Sequence, residues 1–474
     1  QMSEKAQIKS FQAIYPLTAG ITQKIMRRSL SSVFQLLPDL EEWIDPSLKE
    51  SRSWPDWNQA LKLVHEPTSQ EAVLPSYPAR ERLSYDELYA HQLTLAIARL
   101  KNRKKIGRKT VGTGDLVASV LDHLDFKLTK SQKVSIEDIK EDLAKPFKMN
   151  RLLQGDVGSG KTVVAFLSLL SAIEAGGQGV LMAPTEILVQ QHLENLRPLG
   201  TKVGVVVDSL TGRDKGKERD RKLSALLEGR IHILIGTHAV FQSGVHFLDL
   251  RLAIIDEQHR FGVRQRLALG EKGQSVDVLV MTATPIPRSL ALSQYGEMDL
   301  TVLTDKPAGR KPVKTVIISD NRVNEIVLKL KEAIDKKNQA YWVCPLIEES
   351  EVLDYTAAED RFKVLRANLG EGAVGLVHGQ MDSDEKDEVM KKFSEGEIKV
   401  LVSTTVIEVG VDVPSANIIV IEHAEKFGLA QLHQLRGRVG RGSSESSCIL
   451  LYKAPLSENG ERRLSILRET ENGF

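Results

Sequence analysis

The chain has 474 residues, of which 41% are hydrophobic and 27% are charged, and its formal net charge is +1. Such values are typical of a globular protein of about three domains, and they exclude collagen-like and low-complexity chains. No apolar run approaches the roughly 20 residues that a membrane-spanning helix needs, whereas the bulk charge neither indicates nor excludes a nucleic-acid partner.

Residues 1–125 differ in pattern from the rest of the chain. Apolar residues recur at helical spacing in Ile21–Leu37 and in Tyr85–Leu100, and a proline-containing loop lies between these stretches. We therefore expect a mainly helical N-terminal segment.

Short β-branched runs alternate with helical patterns in the remainder. The predicted strands of residues 126–306 are Arg151–Gln154, Gly179–Ala183, Val203–Val207, Ile231–Gly236, Leu252–Asp256 and Val278–Thr282. Those of residues 307–474 are Thr315–Ile318, Gln339–Cys344, Ala373–Val377, Lys399–Ser403, Asn417–Ile421 and Ser447–Leu451. Runs that are apolar on both faces are typical of parallel strands. The predicted fold class is therefore α/β, with two doubly wound parallel-sheet lobes.

The two cysteines, Cys344 and Cys448, lie in separate apolar strand-like runs and have no metal-site spacing. This usage predicts buried thiols in a reducing compartment, and hence a cytoplasmic protein.

A glycine-rich loop follows the first strand of the first lobe. Its residues are Gly155, Asp156, Val157, Gly158, Ser159, Gly160, Lys161 and Thr162. They fit the phosphate-binding pattern G-x-x-x-x-G-K-[ST], in which backbone N–H groups surround the phosphates at a helix N-terminus. Lys161 is expected to reach the β- and γ-phosphates, and the Thr162 hydroxyl to bind Mg²⁺. The loop predicts ATP and Mg²⁺ as ligands.

Two acidic residues, Asp256 and Glu257, end a later apolar run of the same lobe. Ligands of open α/β sheets bind at the carboxyl ends of strands. Asp256 is suited to hold Mg²⁺ through its water shell, and Glu257 to orient and deprotonate the attacking water. The pair therefore predicts nucleotide hydrolysis rather than passive binding.

The second lobe has no phosphate loop, but it carries the arginine-rich segment Gln434–Arg441. A planar guanidinium matches a phosphate and neutralises transition-state charge. We expect Arg438 and Arg441 to act across the cleft between the lobes as arginine fingers.

The ordered segments resemble the motifs of superfamily-two helicases and translocases. These segments are the glutamine motif with Gln132, Ala183–Glu186, Gly236–His238, Asp256–His259, Thr282–Pro285, Ser403–Thr405 with Gly410 and Asp412, and Gln434–Arg441. The resemblance implies two RecA-like lobes, with adenine recognition by Gln132, further ATP contacts from Asp412 and a catalytic role for Gln434. It also implies DNA-phosphate contacts from Thr185, Thr237, His238, Thr404 and Thr405.

Within this superfamily the chain is similar to the RecG family of bacterial fork-reversal and branch-migration translocases. The similarity rests on Arg151–Thr162, Asp256–Val263, Thr282–Arg288 and Trp342–Ser350. It implies an ATP-dependent helicase and duplex translocase that acts on stalled forks and Holliday junctions in recombination and repair. The implied partners are DNA and a single-strand-binding protein, and the implied state is a monomer. We expect a motor core without the family's wedge domain and C-terminal translocation motif.

Other functions fit part of the pattern. The motor of a transcription-repair coupling factor shares the Thr-Ala-Thr-Pro-Ile-Pro-Arg run. An RNA helicase is disfavoured by Gln258 and Val409, and a nucleotide-gated interaction module does not need Glu257 with two arginines. The response of ATP hydrolysis to branched DNA, linear DNA and RNA discriminates among these functions.

Overall fold

The computed structural model describes residues 11–103, 106–257, 275–283, 298–305, 311–345, 351–404, 413, 415–440 and 445–470. The chain forms two compact units, Gln1–Arg99 and Leu100–Phe474. Among the described helices, none combines the length and apolar character needed to cross a bilayer. The predicted domain boundaries near residues 125 and 306 stay predictions.

The first unit is helical. Its helices are α1 (Gln23–Val33), α2 (Pro46–Ser51), α3 (Trp57–His65) and α4 (Pro78–Arg103), the last of which continues into the second unit. Trp43 stacks on Tyr85 and Tyr89, and the buried Arg82 is paired with Glu42. The prediction of a mainly helical N-terminal segment is confirmed, although α2 and α3 were not predicted.

The second unit begins with a lobe built on one parallel sheet. Its strands are β1 (Asn150–Gly155), β2 (Gln178–Met182), β3 (Val207–Leu210), β4 (Ile233–Gly236), β5 (Leu250–Ile255), β6 (Asp277–Thr282) and β7 (Asp299–Leu303). Their order in the sheet is β3–β4–β2–β5–β6–β1–β7. The described helices are α5 (Asp115–Asp122), α6 (Lys130–Leu143), α7 (Lys161–Glu174), α8 (Glu186–Lys202) and α9 (Gly216–Leu227). Successive residues of each strand enter separate apolar clusters, so both faces of the sheet are covered.

The strand predicted at Val203–Val207 was wrong in position. Helix α8 extends to Lys202, and the chain then turns through Gly204, whose φ of +72° is left-handed, before the strand begins at Val207. Val203 and Val205 belong to the apolar cluster of this lobe, which accounts for the strand-like apolar run. Strand β7, which pairs with β1, was not predicted.

The second lobe of this unit also contains one parallel sheet. Its strands are β8 (Val313–Ser319), β9 (Gln339–Val343), β10 (Val374–Val377), β11 (Val400–Ser403), β12 (Ala416–Ile421) and β13 (Ser446–Tyr452), in the order β10–β11–β9–β12–β13–β8. Its described helices are α10 (Val323–Asp335), α11 (Glu351–Leu369), α12 (Ser383–Ser394), α13 (Leu429–Arg436) and α14 (Glu458–Glu469). The predicted fold class is confirmed, and Cys344 and Cys448 are buried thiols as expected.

The two lobes contact each other through a cluster of ion pairs that includes no residue of the glycine-rich loop. Arg213, between β3 and α9, pairs with Glu186 of its own lobe and with Asp384 and Asp387 of α12 in the other lobe. The Arg213 side chain is 54% exposed, so solvent screens these pairs.

A buried carboxyl at the start of β6 is expected to make stability depend on pH. Asp277 is 2% exposed and its Oδ1 accepts the Met149 N–H at 2.7 Å. Burial raises the pKa of Asp277 to about 7. Because the folded state then holds a proton that the unfolded state releases near pH 4, stability falls as pH rises from about 4 to about 7.

Replacement of Asp277 by Asn keeps an acceptor for Met149 and removes the ionisation. We expect Asp277→Asn to be more stable than the natural protein at pH 8 by on the order of 1–3 kcal/mol, with the difference shrinking towards pH 5. Denaturant unfolding at both pH values measures this difference. The exposed Asp125→Asn is the control, and a pH-independent difference would contradict the expectation.

Candidate functional site

The glycine-rich loop joins β1 to α7, and its backbone leads directly into the N-terminus of α7. Gly158 and Gly160 have φ values of +72° and +83°. At Gly160 an added Cβ would lie 2.2 Å from the side-chain Nε2 of Gln132, so a larger residue would have to displace Gln132. The loop therefore has the left-handed turns and the helix start that a phosphate-binding loop requires.

The side chain of Lys161 curls back over this loop. Its Nζ donates to the carbonyl oxygens of Gly155 and Asp156, at 2.7 and 2.9 Å. These bonds hold the ammonium at the mouth of the loop, within reach of a phosphate that would replace the carbonyls as its partner.

Gln132 lies directly against the loop. Its Oε1 accepts the Thr129 N–H in a capping box at the start of α6, and its Nε2 donates to the Ser159 carbonyl at 2.9 Å. The same helix start is tied to Asp305, whose Oδ2 accepts the Ser131 N–H at 2.7 Å. Adenine recognition by Gln132 stays a prediction.

The acidic pair follows β5, at the carboxyl end of the sheet. The Asp256 N–H donates to Met182 O at 2.8 Å, which continues the ladder, and the carboxylate is 9% exposed. Glu257 has a left-handed φ of +52°, and its N–H donates to Asp256 Oδ1 at 3.1 Å. Such strain in a residue other than glycine is concentrated at functional sites.

His192 of α8 was not predicted, although it contacts Asp256. Its Nε2 lies 3.0 Å from Asp256 Oδ2. Burial would by itself raise the pKa of Asp256, but the hydrogen bond from His192 and the Lys161 charge outweigh burial and hold the pKa below its usual range. Asp256 is thus kept as a carboxylate, the form that binds Mg²⁺.

The second lobe contributes Arg438 to the same site. Arg438 follows α13 and is 4% exposed. It lines a cavity of about 200 Å³ together with residues of the first lobe, among them Gly158, Gly160, Lys161, Thr162, His192, Asp256 and Glu257. The structure therefore brings together the predicted phosphate, metal and water-activating residues with one predicted arginine finger.

Within its described residues, the structure does not bring the remaining predicted catalytic and ATP-binding residues into this cavity. Gln434 lies on α13, outside the described residues that line this cavity. Asp412 and Arg441 lie outside the described residues.

His433 was also not predicted, and it connects the second lobe to the loop. Its Nε2 lies 2.9 Å from Asp156 Oδ1. No motif pattern pointed to it, although it is adjacent to the predicted Gln434.

The residues predicted to contact DNA all follow strands. Thr185 caps α8, where its hydroxyl accepts the Leu188 N–H. Thr237 and Thr404 follow β4 and β11 and are 4% and 3% exposed, whereas His238 is exposed. Thr405 lies outside the described residues. DNA contact by this set stays a prediction.

Two family models match the chain. The DEAD/DEAH box helicase family matches residues 129–292, and the helicase conserved C-terminal domain family matches residues 322–443. These matches cover the loop and acidic pair in the first lobe and the whole arginine-rich segment in the second.

Named relatives match nearly the whole chain. It is 46% identical to the ATP-dependent DNA helicase RecG of Acidithiobacillus ferridurans, over 99% of the chain and 69% of that relative. It is 45% identical to the protein of the same name from Bacillus subtilis, over 98% of the chain and 68% of the relative.

Solved structures agree in fold. A structure of RecG bound to a three-way DNA junction matches with a TM-score of 0.79 and 42% identity, over 98% of the chain and 61% of that protein. The chain thus spans less than two thirds of that protein. The helicase MrfA bound to DNA and AMPPNP matches with a TM-score of 0.56 and 17% identity, over 77% of this chain and 54% of the other. This second likeness shows the fold alone.

Proposed function

This chain belongs to the RecG family of ATP-dependent DNA helicases, and from that premise we propose that it hydrolyses ATP between its two lobes to move along duplex DNA at branch points. Stalled forks and Holliday junctions are the substrates that we propose, in recombination and repair. The observation that carries the proposal is the cavity shared by Lys161, Asp256 and Glu257 of one lobe and Arg438 of the other.

In the proposed cycle, ATP is held by groups on the two sides of the cleft. Lys161 binds the β- and γ-phosphates, Glu257 orients the attacking water, and Arg438 stabilises charge on the transferring phosphoryl group. ADP lacks the γ-phosphate contacts, so each turnover changes the relative stability of the open and closed lobes. Arg441 and Gln434 are proposed as further catalytic residues, and Asp412 as a further ATP contact.

DNA is proposed to contact the residues that follow β2, β4 and β11. Thr185, Thr237, His238, Thr404 and Thr405 would bind phosphates and position the duplex without reading its sequence. Alternating opening and closing of the lobes would then move the DNA along this surface. A monomer, a cytoplasmic location and a single-strand-binding partner stay predictions.

The test compares ATP hydrolysis by this chain alone, with linear duplex DNA, with a three-way junction of equal length, and with single-stranded RNA. Stronger stimulation by the junction than by the duplex supports the proposed substrate. Equal stimulation by both DNAs favours a duplex translocase like the transcription-repair coupling factor. Stimulation by RNA alone, or no hydrolysis under any condition, contradicts the proposal.

Mg²⁺ is proposed to enter the site with the nucleotide. Thr162 and the ionised Asp256 offer the oxygen ligands that Mg²⁺ prefers, and the metal would neutralise developing charge on the phosphates. Within the described residues there is no group of three or more His, Cys, Asp and Glu side chains able to hold a metal. In the proposed site the nucleotide phosphates and water would supply the remaining oxygen ligands.

We expect EDTA to abolish hydrolysis and Mg²⁺ to restore it. In calorimetric titrations, Mg²⁺ should bind measurably when a non-hydrolysable ATP analogue is present, and at least about tenfold more weakly without it. The titrations are done in Zn²⁺-free buffers. The Asp256→Asn variant, which lacks one proposed Mg²⁺ ligand, is the control. Tight binding of Mg²⁺ to the nucleotide-free protein would contradict the proposed order.

A further inference from the structure

A hydrogen bond connects the phosphate loop to α13 of the second lobe. His433 Nε2 and Asp156 Oδ1 are 2.9 Å apart, although the residues are separated by 277 positions in the chain. His433 is 5% exposed, so water competes little for this bond.

The direction of the bond follows from a second contact. Arg436 Nη2 lies 3.1 Å from His433 Nδ1. A guanidinium only donates hydrogen bonds, so Nδ1 must accept and the ring proton must be on Nε2. His433 therefore donates to Asp156, whose Oδ1 also accepts the Val157 N–H at 2.7 Å.

Arg436 is itself held by the end of α14. Its Nη1 donates to the carbonyl oxygens of Leu467 and Thr470, at 2.5 and 2.8 Å, and its side chain is buried. These bonds form a continuous polar path from the end of α14, through Arg436 and His433, to Asp156.

The second lobe packs closely against the loop beside this path. An added Cβ at Gly437 would lie 2.9 Å from Val157 Cβ. Burial would raise the pKa of Asp156, but the His433 hydrogen bond, the Val157 N–H and the Lys161 charge outweigh it and lower the pKa. Asp156 is therefore a carboxylate that attracts the donor on the second lobe.

We propose that His433 is a positioning residue that links the conformation of the phosphate loop to the orientation of the second lobe and, through Arg436, to the end of α14. The inference rests on the proposed ATP-driven cycle. Lys161 bonds to the Asp156 carbonyl, whereas His433 bonds to the Asp156 side chain. When the Lys161 ammonium moves from the Asp156 carbonyl to a phosphate, the Asp156 side chain stays bonded to His433. Nucleotide binding and the position of the second lobe are therefore coupled.

The test separates nucleotide binding from turnover. His433→Phe keeps the bulk of the ring but loses the donor, and we expect kcat to fall about tenfold, because the second lobe is then less precisely positioned over the first. Nucleotide affinity should change less than about threefold, because the residues that hold the phosphates lie on the first lobe. His433→Gln restores a donor for Asp156 and an acceptor for Arg436, so it should recover most of kcat.

A double-mutant cycle tests the partner. If the two residues act through one bond, His433→Phe combined with Asp156→Ala should cost little more than Asp156→Ala alone. Arg213→Ala is the matched control, because it breaks a contact between the lobes outside the loop and should change kcat less than about twofold. The proposal would be overturned if the effects of His433→Phe and Asp156→Ala on kcat were additive, or if His433→Gln did not recover kcat. It would also be overturned if Arg213→Ala lowered kcat as much as His433→Phe does.

A second measurement does not depend on hydrolysis. Dyes on Lys202→Cys and Glu371→Cys, which are exposed sites on the two lobes, report lobe movement by energy transfer, while Cys344 and Cys448 are buried. A non-hydrolysable ATP analogue should change the energy transfer between the dyes in the labelled protein that has His433. The change should be smaller in the labelled His433→Phe variant. If the analogue changes energy transfer equally with and without His433→Phe, the proposed link is overturned. If the two proteins differ in energy transfer but no ATP is hydrolysed, only the proposed function is overturned.

Discussion

Replacing Lys161 by Ala is expected to abolish ATP hydrolysis while the fold is retained. In the structure the ammonium donates to the loop carbonyl oxygens of Gly155 and Asp156. Its loss removes the positive charge that would bind the β- and γ-phosphates, whereas α7 remains anchored by nine consecutive buried residues, 164–172.

Steady-state hydrolysis and binding of a fluorescent ATP analogue measure the result. Lys161→Ala should show no hydrolysis above background and weaker nucleotide binding, and its melting temperature should stay within a few degrees of the natural protein. Lys202→Ala, at the exposed end of α8, is the control and should hydrolyse normally. Near-normal turnover in Lys161→Ala would exclude this loop as the catalytic site.

Replacing Arg438 by Ala is expected to lower turnover by about 10³-fold or more, with nucleotide binding largely kept. Arg438 reaches the cavity from the second lobe, whereas Lys161, Thr162 and Asp256 hold the nucleotide from the first. The arginine is therefore suited to act on charge that develops only in the transition state, and its removal should lower kcat more than affinity.

Lysine should not replace this arginine well, because an ammonium cannot offer the planar pair of donors that matches a phosphoryl group. We expect Arg438→Lys to stay at least about tenfold below the natural kcat. Arg468→Ala, a half-exposed arginine on α14, is the control and should leave kcat unchanged. A loss of nucleotide affinity without a loss of kcat would count against the finger role of Arg438.

Local signals predicted most of the fold and much of the candidate site. The loop at 155–162 and the acidic pair after β5 were recognisable because each motif is contiguous and adjoins an apolar strand. The predicted membership in the RecG family is confirmed by relatives that match nearly the whole chain.

The elements that were missed depend on distant contacts. Strand β7 has alternating polar residues such as Asp299 and Thr301, and it is a strand because it pairs with β1. His192 and His433 are single histidines on helices, and only the folded chain brings them to Asp256 and Asp156. A sequence pattern contains no record of contacts made across 64 or 277 residues.

Asp305 attaches the first-lobe end of the connection between the lobes to the start of α6. Asp305 follows β7, and the chain then continues to β8 of the second lobe at Val313. Asp305 and Ser131 bond to each other through side chain and backbone in both directions, so the chain is fixed to the first turn of α6 shortly after it leaves β7. That turn holds Gln132 against Ser159. The last described residue of the first lobe before this connection is thus joined, through one helical turn, to the base of the glycine-rich loop.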